Sequence, residues 1–209
     1  MAYLVLLMLW VVWCVLHSLL VAPRIATNLQ QRLGTAKRFY RLGYNIFALL
    51  SLAPILVYTF HLQPKPIVSW QGQWRLLQML LLVTAGGLFA AGARHYDLRQ
   101  FLGIRQLLKE NQCAVLTSDC RLHTSGILNA MRHPWYAAAI LLIWARDVTV
   151  VVLITNLVLT AYLLIGARLE EGKLQRQFGV SYRLYKQRVS MIFPYKWVHS
   201  FCKRSGEYG

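Results

Sequence analysis

Long runs without a charged residue alternate along the chain with short basic or polar segments. Crossing about 30 Å of hydrocarbon takes about 20 mostly apolar residues. Residues 1–22 meet that requirement, and Pro23 ends the run. A basic stretch carrying Arg24, Arg32, Lys37, Arg38 and Arg41 follows, then a second span over 42–62 in which Pro54 predicts a kink. Residues 63–73, with Pro64, Pro66 and Gly72, read as a turn between antiparallel helices. A third span covers 74–93, and its small residues Ala85, Gly86, Gly87, Ala90, Ala91 and Gly92 suit close helix packing in lipid.

Residues 94–134 are polar and mixed, so they belong outside the hydrocarbon. Two further apolar runs, 135–145 and 148–167, are separated by Arg146 and Asp147. The first is too short for an ordinary span, which predicts a helical hairpin turning at the charged pair. The fold expected is an all-α integral membrane protein of about five transmembrane helices, the last two a helical hairpin. It forms one membrane domain: three spans in 1–93, a cytoplasmic interval at 94–134, the hairpin at 135–168, and a cytoplasmic C-terminal segment at 169–209.

Composition sharpens this picture. Hydrophobic residues make up 57% of the chain and charged residues 14%, whereas soluble domains run at about 25% charged. A formal charge of +16 would suit nucleic acid, but the cations fall in blocks between apolar runs, the pattern of cytoplasmic loops. No nucleic-acid partner is expected; the bilayer is. The first basic stretch, the 94–134 interval and the C-terminal segment carry most of the Lys and Arg, which puts the N-terminus outside and the C-terminus in the cytoplasm. The N-terminal run lacks a basic region before it and a small-residue cleavage site, so it reads as a retained span. Cys14, Cys113, Cys120 and Cys202 show neither paired nor CxxC spacing, so neither a metal site nor a disulfide framework is expected.

Chemistry gathers in two stretches, LHTSGILNAMRHPWY from Leu122 and ARLEEGKLQRQFGVSYRLYKQRVSMIFP from Ala167. Both abut apolar runs, where ionisable groups are costly and mark functional candidates. Glu170 and Glu171 close the last span, where a carboxylate opposes the negative end of the helix dipole and calls for a cation. Either a bound ligand or a salt bridge to Arg132 or Arg168 satisfies that need. Arg132 and His133 precede Pro134, a favoured first helical residue; a cofactor contact and a cationic interface anchor are both open to them. Tyr136, Phe178, Tyr182 and Tyr185 offer ring faces to a cation or ordinary packing. His17 is a lone polar group in the first span, suited to a hydrogen bond with a neighbouring helix or to an acceptor site; Trp13 lies one turn away on the same face. No GxGxxG follows a strand, which removes the soluble nucleotide-binding architecture.

Thr124, Ser125, Gly126, Arg132, His133, Pro134 and Tyr136, followed in order by Glu170, Glu171, Leu174, Phe178, Gly179, Tyr182, Tyr185, Val189 and Pro194, resemble the paired signature of the isoprenylcysteine carboxyl methyltransferase and phospholipid methyltransferase superfamily. Trp13, His17, Ser18, Arg41, Tyr44, Asn45, Asp97 and the FLGIRQ stretch at 101–106 are similar to its NnrU-like and methanethiol S-methyltransferase branch. The chain departs from the wider pattern at Ile127, Leu128 and Ser190.

The resemblance implies an S-adenosylmethionine-dependent methyltransferase in a bacterial inner membrane, with a cytoplasmic cofactor pocket. It implies cofactor binding by Gln106, His123, Thr124, Gly126, His133, Tyr136, Glu170, Glu171 and Tyr182, and catalytic roles for Arg132 and His17. The acceptor it implies is a small lipophilic one, a thiol or another membrane-soluble nucleophile, with Arg41, Arg99 and Arg105 as cations able to favour a thiolate. An NADPH-dependent membrane reductase of the same superfamily and a non-catalytic NnrU-like accessory protein are the alternatives.

Overall fold

A computed structural model of the chain describes residues 1–62, 64–108 and 121–206, with side chains through 200 and at 203. Among these residues the secondary structure is helical; β structure is limited to two isolated bridges, Val68 with Val148 and Met131 with Ser190. Among the described residues four helices are long and apolar enough to cross a membrane: α1 (Ala2–Val21), the α2 (Pro23–Leu33) to α3 (Tyr40–Leu62) stretch through α3, α4 (Trp74–Ala93) and α9 (Val150–Arg188), the last through its uncharged part ahead of Arg168. The short helices α5 (Leu98–Leu102), α6 (Ile104–Leu107) and α7 (Ile127–Ala130) precede α8 (Pro134–Trp144), and α10 (Tyr195–Gly206) closes the chain. The count of four rather than five reflects α8: its 11 residues rise about 16 Å, half a bilayer core. Large side chains such as Leu49, Phe60, Leu76 and Val83 are mostly exposed, as lipid-facing residues are. The chain is an integral membrane protein.

Two compact units divide the described chain. The first comprises Met1–Ser69, Asp97–Ser118 and Asp147–Val158. Leu6, Trp10 and Cys14 recur every fourth residue on α1 and are buried, the stripe by which a helix packs. Facing groups on α3 fix the pairing: Trp13 Nε1 donates to Ser51 Oγ at 3.1 Å, and the Tyr40 hydroxyl donates to the Leu20 carbonyl at 2.6 Å. The basic stretch after Pro23 is not a plain loop. Ile25, Leu29 and Leu33 share one face of α2, polar and basic residues occupy most of the rest, and a 3₁₀ turn, Gly34–Phe39, leads into α3. Asp97 caps α5, accepting from the Gln100 amide at 3.1 Å. Cys14 is a free, buried thiol, while Cys113, Cys120 and the Cys202 side chain lie outside the described residues.

The second unit comprises Trp70–Tyr96, Asp119–Arg146 and Leu159–Gly209. Here α4 packs on α8, and the small residues of α4 divide their work: Ala85 and Gly92 are buried, Gly86, Gly87 and Ala90 exposed. A Cβ on Gly92 would sit 2.5 Å from the Trp135 ring, so glycine is what admits that indole, whose Nε1 donates to the Phe89 carbonyl at 3.1 Å. The long helix α9 is broken at Gly179, where φ is 54°. Only glycine adopts that conformation at little cost, and the break redirects the segment bearing Tyr182, Tyr185 and Lys186.

Candidate functional site

Within the second unit the two sequence stretches fold against each other. The amides of Arg132 and His133 donate to the carbonyls of Ser190 and Met191 at 2.9 and 3.0 Å, forming the Met131–Ser190 bridge. The Tyr185 hydroxyl donates to the Leu128 carbonyl at 2.6 Å. Tyr182, Tyr185 and Val189 form a small core against which Leu122, Leu174 and Phe178 pack, with the two tyrosine rings edge to face at 5.9 Å. These contacts hold the segment preceding Pro134 beside the part of α9 that bears Glu170 and Glu171.

Ion pairing follows from that placement. Arg132, 8% exposed, sends Nε and Nη2 to Glu171 Oε1 at 2.7 and 2.6 Å. Its Nη1 donates to the carbonyl oxygens of Lys186 and Val189. Lys186 Nζ reaches Glu171 Oε2 at 2.9 Å, and His133 Nε2 lies 3.5 Å from Oε1. Glu171 is 3% exposed. Burial pushes its carboxyl upward, but hydrogen bonds from His133, Lys186 and Arg132, with the Arg132 charge, outweigh that and hold it down at about 2. Of the two partners the sequence offered these carboxylates, Arg132 is the one Glu171 takes.

Glu170 is placed differently. Its side chain is 33% exposed, accepts from the Tyr136 hydroxyl at 2.9 Å, and lies 3.8 Å from His133 Nδ1. His133 therefore stands between the two carboxylates, its ring edge-on to Tyr136 at 5.2 Å. Tyr96, which packs on Trp135, is raised well above the usual phenol range by burial and then by the Glu170 charge. Burial likewise raises the Tyr182 hydroxyl, which has no hydrogen-bond partner among the described residues.

Gly126 has φ of 58°, and a Cβ there would approach His95 Nε2 to 2.7 Å. Glycine thus lets the Thr124–Gly126 turn lie against the end of α4. A cavity of about 600 Å³ opens nearby, lined by Thr124, Asn129, Phe178, Ser181 and Tyr185 among others, so both sequence stretches contribute to its wall. His123 is half-buried in the segment leading to it.

The structure brings together Arg132, His133, Tyr136, Glu170 and Glu171 as one cluster, with Thr124, Gly126 and Tyr182 elsewhere in the same unit. Gln106 and His17 belong to the first unit. There the Tyr44 hydroxyl and His17 Nε2 are 2.5 Å apart, and Trp13 stacks on His17 at 5.0 Å. Arg41 Nε donates to the Phe101 carbonyl at 3.2 Å, and Arg105 pairs with Asp97 at 2.6 Å. Sequence reasoning did not single out Lys186, the second cation on Glu171, or His95, which backs Gly126. The lysine falls four residues after Tyr182 within the signature stretch, a helical spacing that points both toward one face.

Fold and site define a helical membrane protein whose two signature stretches converge on a buried carboxylate network. The sequence profile described as NnrU protein matches residues 5–190. The chain belongs to this family, within the branch of the isoprenylcysteine methyltransferase superfamily that contains the methanethiol S-methyltransferases. It is 31% identical over 194 residues, 91% of its length, to methanethiol S-methyltransferase 1 of Bradyrhizobium diazoefficiens, and 31% identical over 150 residues, 69% of its length, to the methanethiol S-methyltransferase of Pseudomonas deceptionensis. The chain spans 66% and 57% of those relatives' own lengths. No solved structure matches it.

Proposed function

We propose that this chain is a membrane methyltransferase that transfers the methyl group of S-adenosylmethionine to a small thiol. The observation that carries the reading is the docking of the 122–136 stretch onto 170–191, which consumes Glu171 in ion pairs and leaves Glu170 beside His133 and Tyr136, one-third exposed. The names of the relatives supply the reaction class and the thiol.

The residues present fit the cofactor. Its ammonium and ribose hydroxyls need a carboxylate and polar acceptors, for which Glu170 is open; the buried Tyr182 hydroxyl lacks a partner among the described residues. The cavity of about 600 Å³ whose wall includes Thr124 is of small-molecule size, and the Glu170, His133 and Tyr136 cluster lies outside its lining. When bound, S-adenosylmethionine supplies a methyl group on a sulfonium, open to in-line displacement. Glu170, His133, Tyr136, Thr124, Gly126 and Tyr182 hold it in this reading, with His123 as a further contact. Arg132 and Glu171 fix the backbone that carries His133, a positioning role that accounts for their burial. The Tyr44–His17 pair, backed by Trp13, is assigned to the acceptor. The thiol would react as its thiolate, giving up its proton to water, with its sulfur taking the methyl group and S-adenosylhomocysteine leaving.

The basic blocks support an N-terminus outside and a C-terminus in the cytoplasm of a bacterial inner membrane, with α8 and the apolar part of α9 as the last two membrane elements.

The test incubates purified protein with S-adenosylmethionine and a panel of methanethiol, longer alkyl thiols, a prenylated cysteine analogue and phosphatidylethanolamine, reading methylated products by mass spectrometry. Turnover of the thiols is expected. Turnover confined to the phospholipid or the carboxylate overturns the thiol assignment.

A further inference from the structure

A second cavity of about 600 Å³ lies wholly within the first unit. Its apolar wall is the last turn of α1, Leu20 and Val21; its polar wall carries Lys37, Arg38, Arg41, Tyr44 and Gln106. We propose that it binds the phosphate group of an anionic membrane lipid, with the lipid tail along Leu20 and Val21.

Charge is the first argument. Three cations line the cavity and no carboxylate does. The chain has no Asp or Glu before Asp97, and Asp97 is held by Arg105 at 2.6 Å. Lys37 and Arg38 are exposed at the rim, where Arg38 lies over the Phe39 ring at 4.8 Å. Basic pockets at the cytoplasmic ends of membrane helices hold lipid headgroups by this means.

Position is the second. The cavity sits where α1 ends and the amphipathic α2 begins, the kind of helix that lies in the headgroup layer with its apolar stripe down; Ile25 and Leu29 of that stripe are half-buried. An anion arriving on a hydrocarbon tail meets cations and apolar wall together, whereas a free anion gains nothing from Leu20 and Val21. The third argument is Gln106, whose side-chain oxygen is buried without a hydrogen-bond partner among the described residues. A headgroup hydroxyl, as in phosphatidylglycerol, is a donor that would satisfy it.

The full chain is purified in zwitterionic micelles and titrated with short-chain phosphatidylglycerol, short-chain phosphatidylcholine and inorganic phosphate by native mass spectrometry. Phosphatidylglycerol should bind about tenfold or more tighter than either of the others, and the exposed double variant Lys37→Gln/Arg38→Gln should lose most of that preference. Arg24→Gln/Arg32→Gln removes two cations of the same segment that do not line the cavity, and should retain it. Circular dichroism checks that both variants fold. Equal binding of the two lipids, equal binding of inorganic phosphate, or equal loss in both double variants overturns the proposal, the last by showing diffuse attraction in place of a site.

Discussion

In the second unit the polar groups beside the apolar helices form an ionic cluster around the buried Glu171, whereas where α1 meets α3 in the first they are a histidine, hydroxyls and an indole joined by hydrogen bonds, that unit's ion pair, Arg105 with Asp97, linking α5 and α6 instead. Arg132 and Glu171 are each under a tenth exposed and bonded to each other; Glu171 also meets Lys186 and His133, and Arg132 two backbone carbonyls. Tyr44, His17, Trp13 and Ser51 need no charge. A buried ion pair tolerates no loss of one partner, because the survivor is left charged and unsolvated; a neutral pair loses only its hydrogen bond. The difference teaches that rigidity is concentrated where the two signature stretches meet.

Breaking the ionic cluster is therefore expected to have the largest effect. Arg132→Ala should destabilise the protein by about 3–5 kcal/mol, read as thermal unfolding in detergent. Acid probes the same cluster more gently. The Glu171 carboxyl is held at about 2, below its ordinary value of 4.5, so its stabilisation is complete above pH 4.5 and fades as pH falls through 2. The amount at stake is about 3 kcal/mol, and Glu171→Gln should flatten that part of the stability profile. A loss centred near neutral pH would contradict the assignment.

Gly126→Ala comes next, since it forces a side chain into a left-handed conformation and toward His95; a cost of about 1–3 kcal/mol is expected, with Gly34→Ala, which meets open space, as the backbone-only control. Tyr44→Phe in the first unit should cost least, about 1 kcal/mol. A larger loss there than at Arg132 would invert the comparison.

Much of the fold is legible in the sequence because lipid enforces a simple rule. The ends of α1 and α4 fall where Pro23 and Arg94 interrupt apolar runs, and α3 begins at Tyr40, two residues ahead of its apolar stretch. The helix α2 was hidden by its charges, although Ile25, Leu29 and Leu33 carry the helical spacing that reveals it. The break at Gly179 was not legible, since glycine inside a helical pattern is tolerated as often as it terminates one. For the site, burial near an apolar helix marks Arg132, His133, Glu170 and Glu171 as candidates, but their division of labour depends on contacts across 39 residues of sequence separation. Nothing in two adjacent glutamates says which is sealed and which stays open. Helical geometry decides it, pointing neighbours about 100° apart.

The central claim is that Glu170, not the sealed Glu171, faces the cofactor. Titration calorimetry of the purified protein with S-adenosylmethionine tests it most directly. The account predicts saturable binding that Glu170→Gln weakens by about tenfold or more, 1.4 kcal/mol, with the unfolding transition unchanged. Folded wild-type protein that binds no S-adenosylmethionine, or a Glu170→Gln variant with wild-type affinity, would contradict it.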